Sequence, residues 1–201
     1  MGKVQIIHSK NFYSSEEDIN DISLLNKIIE KATVYKGKIF DIDRYTVELP
    51  NKEKTFRDIV KQANAVGILA FDDKNNSCLV RQYRASSVRI TIEIPAGRVE
   101  PDEKPIQAAR RELLEETGYE ARHLTYLTTV ASSLGFSNEY IDLFVTSDLV
   151  YKNSSPDNSE FINVDWVPYY KVISAIDQHR IIDGKTVNAI LYYEQCWCNS
   201  H

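Results

Sequence analysis

The 201-residue chain lacks the features that mark several whole classes of protein. Its three cysteines, Cys78, Cys196 and Cys198, cannot make a disulfide framework. Cys196-x-Cys198 is also short of the two-residue spacer of a redox or zinc motif, so the cysteines read as small core residues in a reducing cytoplasm. No apolar run approaches the roughly 20 residues of a membrane-spanning helix. The start, MGKVQIIHSKNFYSSEED, has no signal-peptide apolar region, and Ile6 breaks the myristoylation pattern that Gly2 could begin. A cytoplasmic protein without a membrane partner is expected. Excess positive charge is missing too. The net charge of −5 argues against a general nucleic-acid surface, although local basic groups can still bind a small anion. No internal repeat or low-complexity segment is visible.

What is present suits an ordinary globular chain. Hydrophobic residues make up 43%, and the length fits one substantial domain, or a core domain with a small extra section. Residues 16–31 carry Ile19, Ile22, Leu24, Leu25, Ile28 and Ile29 among charges, a pattern compatible with a short amphipathic helix. From Ala32 to Ile59 the pattern becomes strand-like, broken at Gly37 and at Pro50-Asn51. Ala65 to Phe71 reads as a core strand. The turn Asp72-Asp73-Lys74-Asn75-Asn76 follows, with Cys78 to Tyr83 as the expected hairpin partner. Further strands are expected at 90–94, 124–131, 140–146 and 160–167. Helices are expected at 168–178 and 186–196, with Asp183-Gly184 turning between them. This alternation predicts an α/β (α+β) fold, a sheet with helices on both sides.

One stretch, Gly97 to Tyr119, carries the chemistry: GRVEPDEKPIQAARRELLEETGY. Pro105 suits a first helical position, having no N–H to leave unpaired, and Gly118 suits the residue past the helix end. Ile106, Ala109, Leu113 and Leu114 supply apolar surface for docking the helix. Glu112, Glu115 and Glu116 recur at helical spacing and so project from one side. Carboxylates that close repel unless a cation sits among them, and an all-oxygen set selects a hard ion, Mg²⁺ or Mn²⁺, over zinc. Gly97 lets the backbone turn tightly and approach a ligand. Arg111 either orients a glutamate through a bidentate pair or is one more surface charge. Glu103 either assists from the loop or caps the helix start.

The stretch matches the Nudix box, G-x5-E-x7-R-E-U-x-E-E-x-G-U with U bulky and apolar, at Gly97, Glu103, Arg111, Glu112, Leu113, Glu115, Glu116, Gly118 and Tyr119. Tyr119 is a mild departure, since an aliphatic residue is commoner there. The chain thus resembles the Nudix hydrolases, which cleave a nucleoside diphosphate linked to another group. Tyr35-Lys36-Gly37, Arg57-Asp58-Ile59-Val60, Ala65-Val66, Arg81-Gln82-Tyr83-Arg84 and Glu93-Ile94-Pro95-Ala96-Gly97 extend the resemblance in order toward ADP-ribose pyrophosphatases and related sugar-nucleotide hydrolases.

That resemblance implies a mixed sheet sandwiched between helices, with residues 1–58 as a strand-rich dimerisation section and residues 59–201 as the hydrolase domain. It implies a homodimer with shared active sites. The implied reaction is Mg²⁺-dependent cleavage of ADP-ribose or a related nucleoside diphosphate sugar. A GDP-sugar (GDP-mannose type) hydrolase and a non-catalytic ligand sensor are the alternatives. The implied metal ligands are Glu112, Glu115, Glu116 and the backbone carbonyl of Ala96. Arg57, reaching across the dimer, and Arg84 would grip the substrate. Glu93 either accepts from a ribose or base or is a strand-end charge. The loop from Ser154 to Glu160 would bring the general base, Glu160 first and Asp157 second, with Glu139 and the box glutamates as further acids. Two positions depart from the ADP-ribose pattern: Leu134, where a proline is usual, and Lys38, where an aromatic can stack on adenine. Phe40 shares a strand face with position 38 and could substitute.

Overall fold

The computed structural model describes residues 24–153 and 161–198. The first sheet holds three antiparallel strands, β1 (Lys27–Lys36), β2 (Asp41–Glu48) and β3 (Lys54–Lys61). Two further strands of the central sheet follow the linker, β4 (Ala65–Ala70) and, later, β7 (Ala96–Arg98); β9 (Thr125–Ala131) and β10 (Tyr140–Thr146) complete it in the order β7-β4-β10-β9. Only the β4–β10 pair in it is parallel. A third sheet has the order β12-β5-β6, from β5 (Asn76–Arg84), β6 (Arg89–Glu93) and β12 (Ile162–Pro168). β8 (Tyr119–Ala121) pairs with β11 (Leu149–Tyr151). The helices are α1 (Pro105–Thr117), α2 (Tyr169–Asp177) and α3 (Gly184–Tyr193), and α3 runs on into a π-helical end, Glu194–Cys198.

Period-2 alternation along β4 sends its side chains into two separate cores. Val66, Ile68 and Ala70 pack with Ala108, Ala109 and Leu113 of α1. Leu69 and the neighbouring Phe71 pack with Val172 of α2 and Ala189 and Ile190 of α3. Helices thus cover both faces of the central sheet, as the alternation predicts. Gly67 keeps the second face flat, since an added Cβ would lie 3.0 Å from both Ile94 and Leu143.

Several expectations are corrected. Residues 27–31 are strand, not helix; β-branched and alternating Ile, Thr and Val outweigh the helical spacing of the isoleucines. Residues 16–23 lie outside the described residues. β5 is not the hairpin partner of β4. The two pair in different sheets, joined by the bridge Phe71–Ser77 just past β4, and the turn, closed by Asp72 Oδ1 accepting from Lys74 and Asn76, carries the chain from one sheet to another. Asp183 and Gly184 do not merely turn: Asp183 caps α3 and Gly184 opens it. On α1 Ile106 is exposed, and Ala108 takes the buried place expected of it. Cys78 is buried, and burial pushes its thiol up to about 12, but Cys196 is exposed and so not a core residue.

The first sheet ends at Lys61, past position 58, and lacks a covering layer from the described residues. All ten positions of β1 are exposed, including Ile28, Ile29, Val34 and Tyr35. The linker after β3 is pinned to the loop before β10. Val60 N–H donates to Phe136 (2.7 Å), Asn138 N–H to Val60 (3.2 Å), and Asn64 Oδ1 accepts from Tyr140 (3.1 Å). No described helix is long and apolar enough to cross a membrane.

Leu113 is fully buried on the inner face of α1. Leu113→Ala is expected to lower the unfolding free energy by about 2–5 kcal/mol in urea titrations, as a cavity beneath a rigid helix should.

Candidate active site

Local sequence fixes where α1 begins and ends. Pro105 opens it, Gln107 Oε1 accepts from the Lys104 N–H (3.0 Å), and Gly118 closes it at φ 78° with its N–H on Leu114 (2.8 Å). Burying Ala108, Ala109 and Leu113 turns Arg111, Glu112 and Glu115 toward a cleft of about 1160 Å³, which β7 also lines with Ala96 and Gly97.

Contact between α1 and β7 is close. A Cβ on Gly97 would lie 2.0–2.3 Å from the Glu112 carboxylate, so only glycine permits this approach. Glu116 is 7% exposed and its Oε2 accepts from the Ala96 N–H (3.1 Å). The two carboxylates therefore flank the Ala96-Gly97 backbone from the helix side.

Arg111 uses all five of its N–H donors. Nε and one Nη2 hydrogen make a bidentate pair with Glu103 (3.0 and 2.9 Å), and the other reaches the Arg98 carbonyl (3.0 Å). Nη1 serves Glu112 (2.7 Å) and Glu115 (3.1 Å). Bonding to Glu103 above all raises the Arg111 pKa, and the same pair holds the Glu103 carboxyl below its ordinary value. Glu103 does not cap the helix; it accepts from Arg111 and the Glu100 N–H.

The all-oxygen set of Glu112, Glu115 and Glu116 beside a bare backbone fits a hard divalent cation in its chemistry. Among the described residues no three acidic, histidine or cysteine side chains gather round one point, and Glu112 and Glu115 are both paired with Arg111.

A second charged group faces the same cleft. Arg84, near the end of β5, pairs bidentately with Glu93 of β6 (2.8 and 2.7 Å), and Thr91 Oγ1 (2.6 Å) and Lys185 Nζ (2.5 Å) donate to the same carboxylate. Burial alone would raise the Glu93 pKa. Arg84 and Lys185 outweigh it and hold the group at about 2. With these donors around it and 2% exposure, Glu93 meets a substrate only by releasing a partner. Lys185, Asp183 and Thr186 were not singled out by the sequence. The N-cap pattern of Asp183 ahead of Thr186 was their only signal.

Of the other expected residues, Glu139 lines the cleft. Arg57 does not line its own chain's cleft, and its only side-chain bond among the described residues is to the Phe56 carbonyl (3.0 Å). Leu134 is exposed in the turn that Ser133 closes with Phe136. Phe40 packs near Tyr35, with ring centroids 6.0 Å apart. Glu160 and Asp157 lie outside the described residues.

A carboxylate-bearing helix against a glycine strand shares this cleft with Arg84 and Lys185, an arrangement suited to a doubly charged phosphate substrate. Residues 61–189 match the model of the NUDIX domain family. The chain belongs to that family and is a Nudix pyrophosphohydrolase. It is 37% identical to an ADP-ribose pyrophosphatase of Bacillus subtilis (strain 168), over 86% of this chain and 94% of that protein. It is 35% identical to a methanol dehydrogenase activator of Bacillus methanolicus, over 84% and 92%. Its fold is that of a solved ADP compounds hydrolase, with a TM-score of 0.78 at 19% identity, covering 88% of this chain and 97% of that one.

Folding depresses the Glu93 pKa from 4.5 to about 2, so its contribution to stability is present above the unfolded pKa and is lost as pH falls through the folded one. The wild type is expected to exceed Glu93→Gln in unfolding free energy by on the order of 3 kcal/mol at neutral pH. Denaturant titrations should show that gap closing as pH falls from about 5 toward 2. A gap that does not change with pH would contradict the ionised, paired carboxylate.

Proposed function

We propose that this protein hydrolyses the pyrophosphate bond of ADP-ribose or a related nucleoside diphosphate sugar, giving a nucleoside monophosphate and a sugar phosphate. The observation that carries the reading is one cleft lined on one side by the α1 carboxylates and on the other by Arg84 and Lys185. That arrangement suits a substrate with two adjacent phosphates. Similarity to the Bacillus subtilis ADP-ribose pyrophosphatase supports ADP-ribose among such substrates.

Glu112, Glu115 and Glu116, with the Ala96 carbonyl, would hold Mg²⁺ or Mn²⁺, an ion that when bound offsets phosphate charge and lowers the pKa of water. Arg111 keeps Glu112 and Glu115 in place, and its saturated donors suit it to holding ligands rather than substrate. Arg84 has Nη1 left for a phosphate oxygen, since Nε and Nη2 are spent on Glu93. Glu93 serves the substrate chiefly by aiming Arg84. Glu160 would take the proton of the attacking water as the phosphorus–oxygen bond to the leaving phosphate breaks, with Asp157 second and Glu139 the acid that already lines the cleft.

The assembly proposed is a cytoplasmic homodimer. A ten-residue strand exposed along its whole length, with apolar side chains and no cover among the described residues, is a surface that calls for a partner, and a second copy would supply it. Arg57 on β3 would then act in the partner's cleft.

With Mg²⁺ present, a panel of ADP-ribose, GDP-mannose, UDP-glucose and NADH is expected to show ADP-ribose or a related sugar nucleotide turned over best. Glu112→Gln and Glu116→Gln should each lower kcat by about 10²–10⁴-fold with the circular dichroism spectrum unchanged. Near-wild-type rates in either variant at saturating Mg²⁺ would remove the ligand assignment.

Mixing Arg57→Ala protein with Glu112→Gln protein should restore part of the activity that each lacks, because some mixed dimers contain one intact site. A monomer by light scattering at assay concentration, or no recovery on mixing, would contradict the shared site.

A further inference from the structure

Lys185 stands in no motif, yet it supplies the third charge of the Glu93 cluster. Its ammonium donates to Glu93 Oε2 (2.5 Å) and Asp183 Oδ1 (3.0 Å), and its side chain is 12% exposed at the cleft wall. The helix start places it firmly. Asp183 Oδ2 accepts from the Thr186 N–H (3.0 Å) and hydroxyl (2.6 Å), and Thr186 Oγ1 in turn accepts from the Ile94 N–H (2.9 Å). Two links, Thr186–Ile94 and Lys185–Glu93, thus fasten the start of α3 to the end of β6.

Local charge decides what the lysine does. Arg84 and Glu93 alone would cancel, leaving a wall with little pull on an anion. Lys185 shares Oε2 of Glu93 with Arg84 Nη2, so one buried carboxylate faces two cations. Asp183 brings a second negative charge to the same wall, so the four groups balance with Lys185 present and are net negative without it. Arg84 Nη1 has no bond among the described residues, and Arg84 lines the cleft.

We propose that Lys185 is a positioning residue for Arg84: by sharing Glu93 and pairing with Asp183 it keeps this wall from carrying net negative charge and leaves the Nη1 edge of Arg84 for a substrate phosphate. The identity of that anion rests on the pyrophosphatase reading; the charge of the wall does not. Lysine as a mere brace between α3 and β6 would look the same in contact but differ in behaviour. A brace affects unfolding, whereas a charge-setting residue affects affinity and its salt dependence.

The test is calorimetric titration of the full-length protein with ADP at several salt concentrations, on wild type, Lys185→Met and Lys185→Arg, with thermal melts alongside. Lys185→Met should bind ADP about tenfold more weakly and with a shallower salt dependence, the scale of one partly screened charge contact. Lys185→Arg, which keeps the charge, should recover most of the affinity. In turnover assays the Met variant should raise KM about as much and change kcat little. A lowered Tm with unchanged ADP affinity and salt slope in Lys185→Met would overturn the proposal, as would a wild type that does not bind ADP. The expected binding pattern in a protein that cleaves no nucleoside diphosphate sugar would overturn the proposed reaction and uphold the role of Lys185.

Discussion

The helix wall of this site depends on the missing side chain of Gly97. The Glu112 carboxylate occupies the space where a Cβ would project, and that contact sets how near α1 comes to β7. The nearness has two effects. It brings the Ala96 N–H within reach of Glu116, which ties the far end of the helix face to the same strand. It also places the Arg98 carbonyl where Arg111 can use it. A helix set farther out would keep its hydrophobic contacts through longer side chains, but the backbone of β7 and the three carboxylates would no longer share one wall.

The two arginines of the cleft illustrate how identical chemistry takes different work. Arg111 has every donor engaged, three glutamates and a carbonyl around it, so it has nothing left for a ligand. Its effect is to keep like charges together at tolerable cost. Arg84 is held just as firmly, by one bidentate pair, yet that pair uses one edge of the guanidinium and leaves the rest. Rigid anchoring with a remaining donor is what a phosphate-binding arginine needs, because less side-chain freedom is lost on binding.

How much of this was legible varies with distance along the chain. The box and its helix were readable to the residue, because Gly97, Pro105, the glutamate spacing and Gly118 act locally and lie within one stretch. The helices on both faces of a sheet were readable from alternation. The separation of β4 from β5 was not: Asp72 to Asn76 form a turn whether the strands close a hairpin or part into two sheets, and the partners that decide, β10 and β12, are remote. Residues 27–31 misled because Ile28 and Ile29 suit either period, and pairing with β2 settled it. The carboxylate-bearing face of α1 was legible, while the opposing wall was hidden. Lys185 meets Glu93 across 92 positions, and nothing near either residue announces the other.

That contrast follows from how the site is built. One wall is a single helix, whose geometry is set by its own sequence. The other is assembled from the ends of β5 and β6 and the start of α3, held together by the Ile94–Thr186 bond and by the carboxylate that Arg84 and Lys185 share. A wall made from three elements can change its charge through any of them without disturbing the helix opposite. The helix keeps its carboxylates in register, while the composite wall shares the cleft with the hairpin tip at Ile39. The two walls are thereby built by separate parts of the fold, and only the helix wall is written in contiguous sequence.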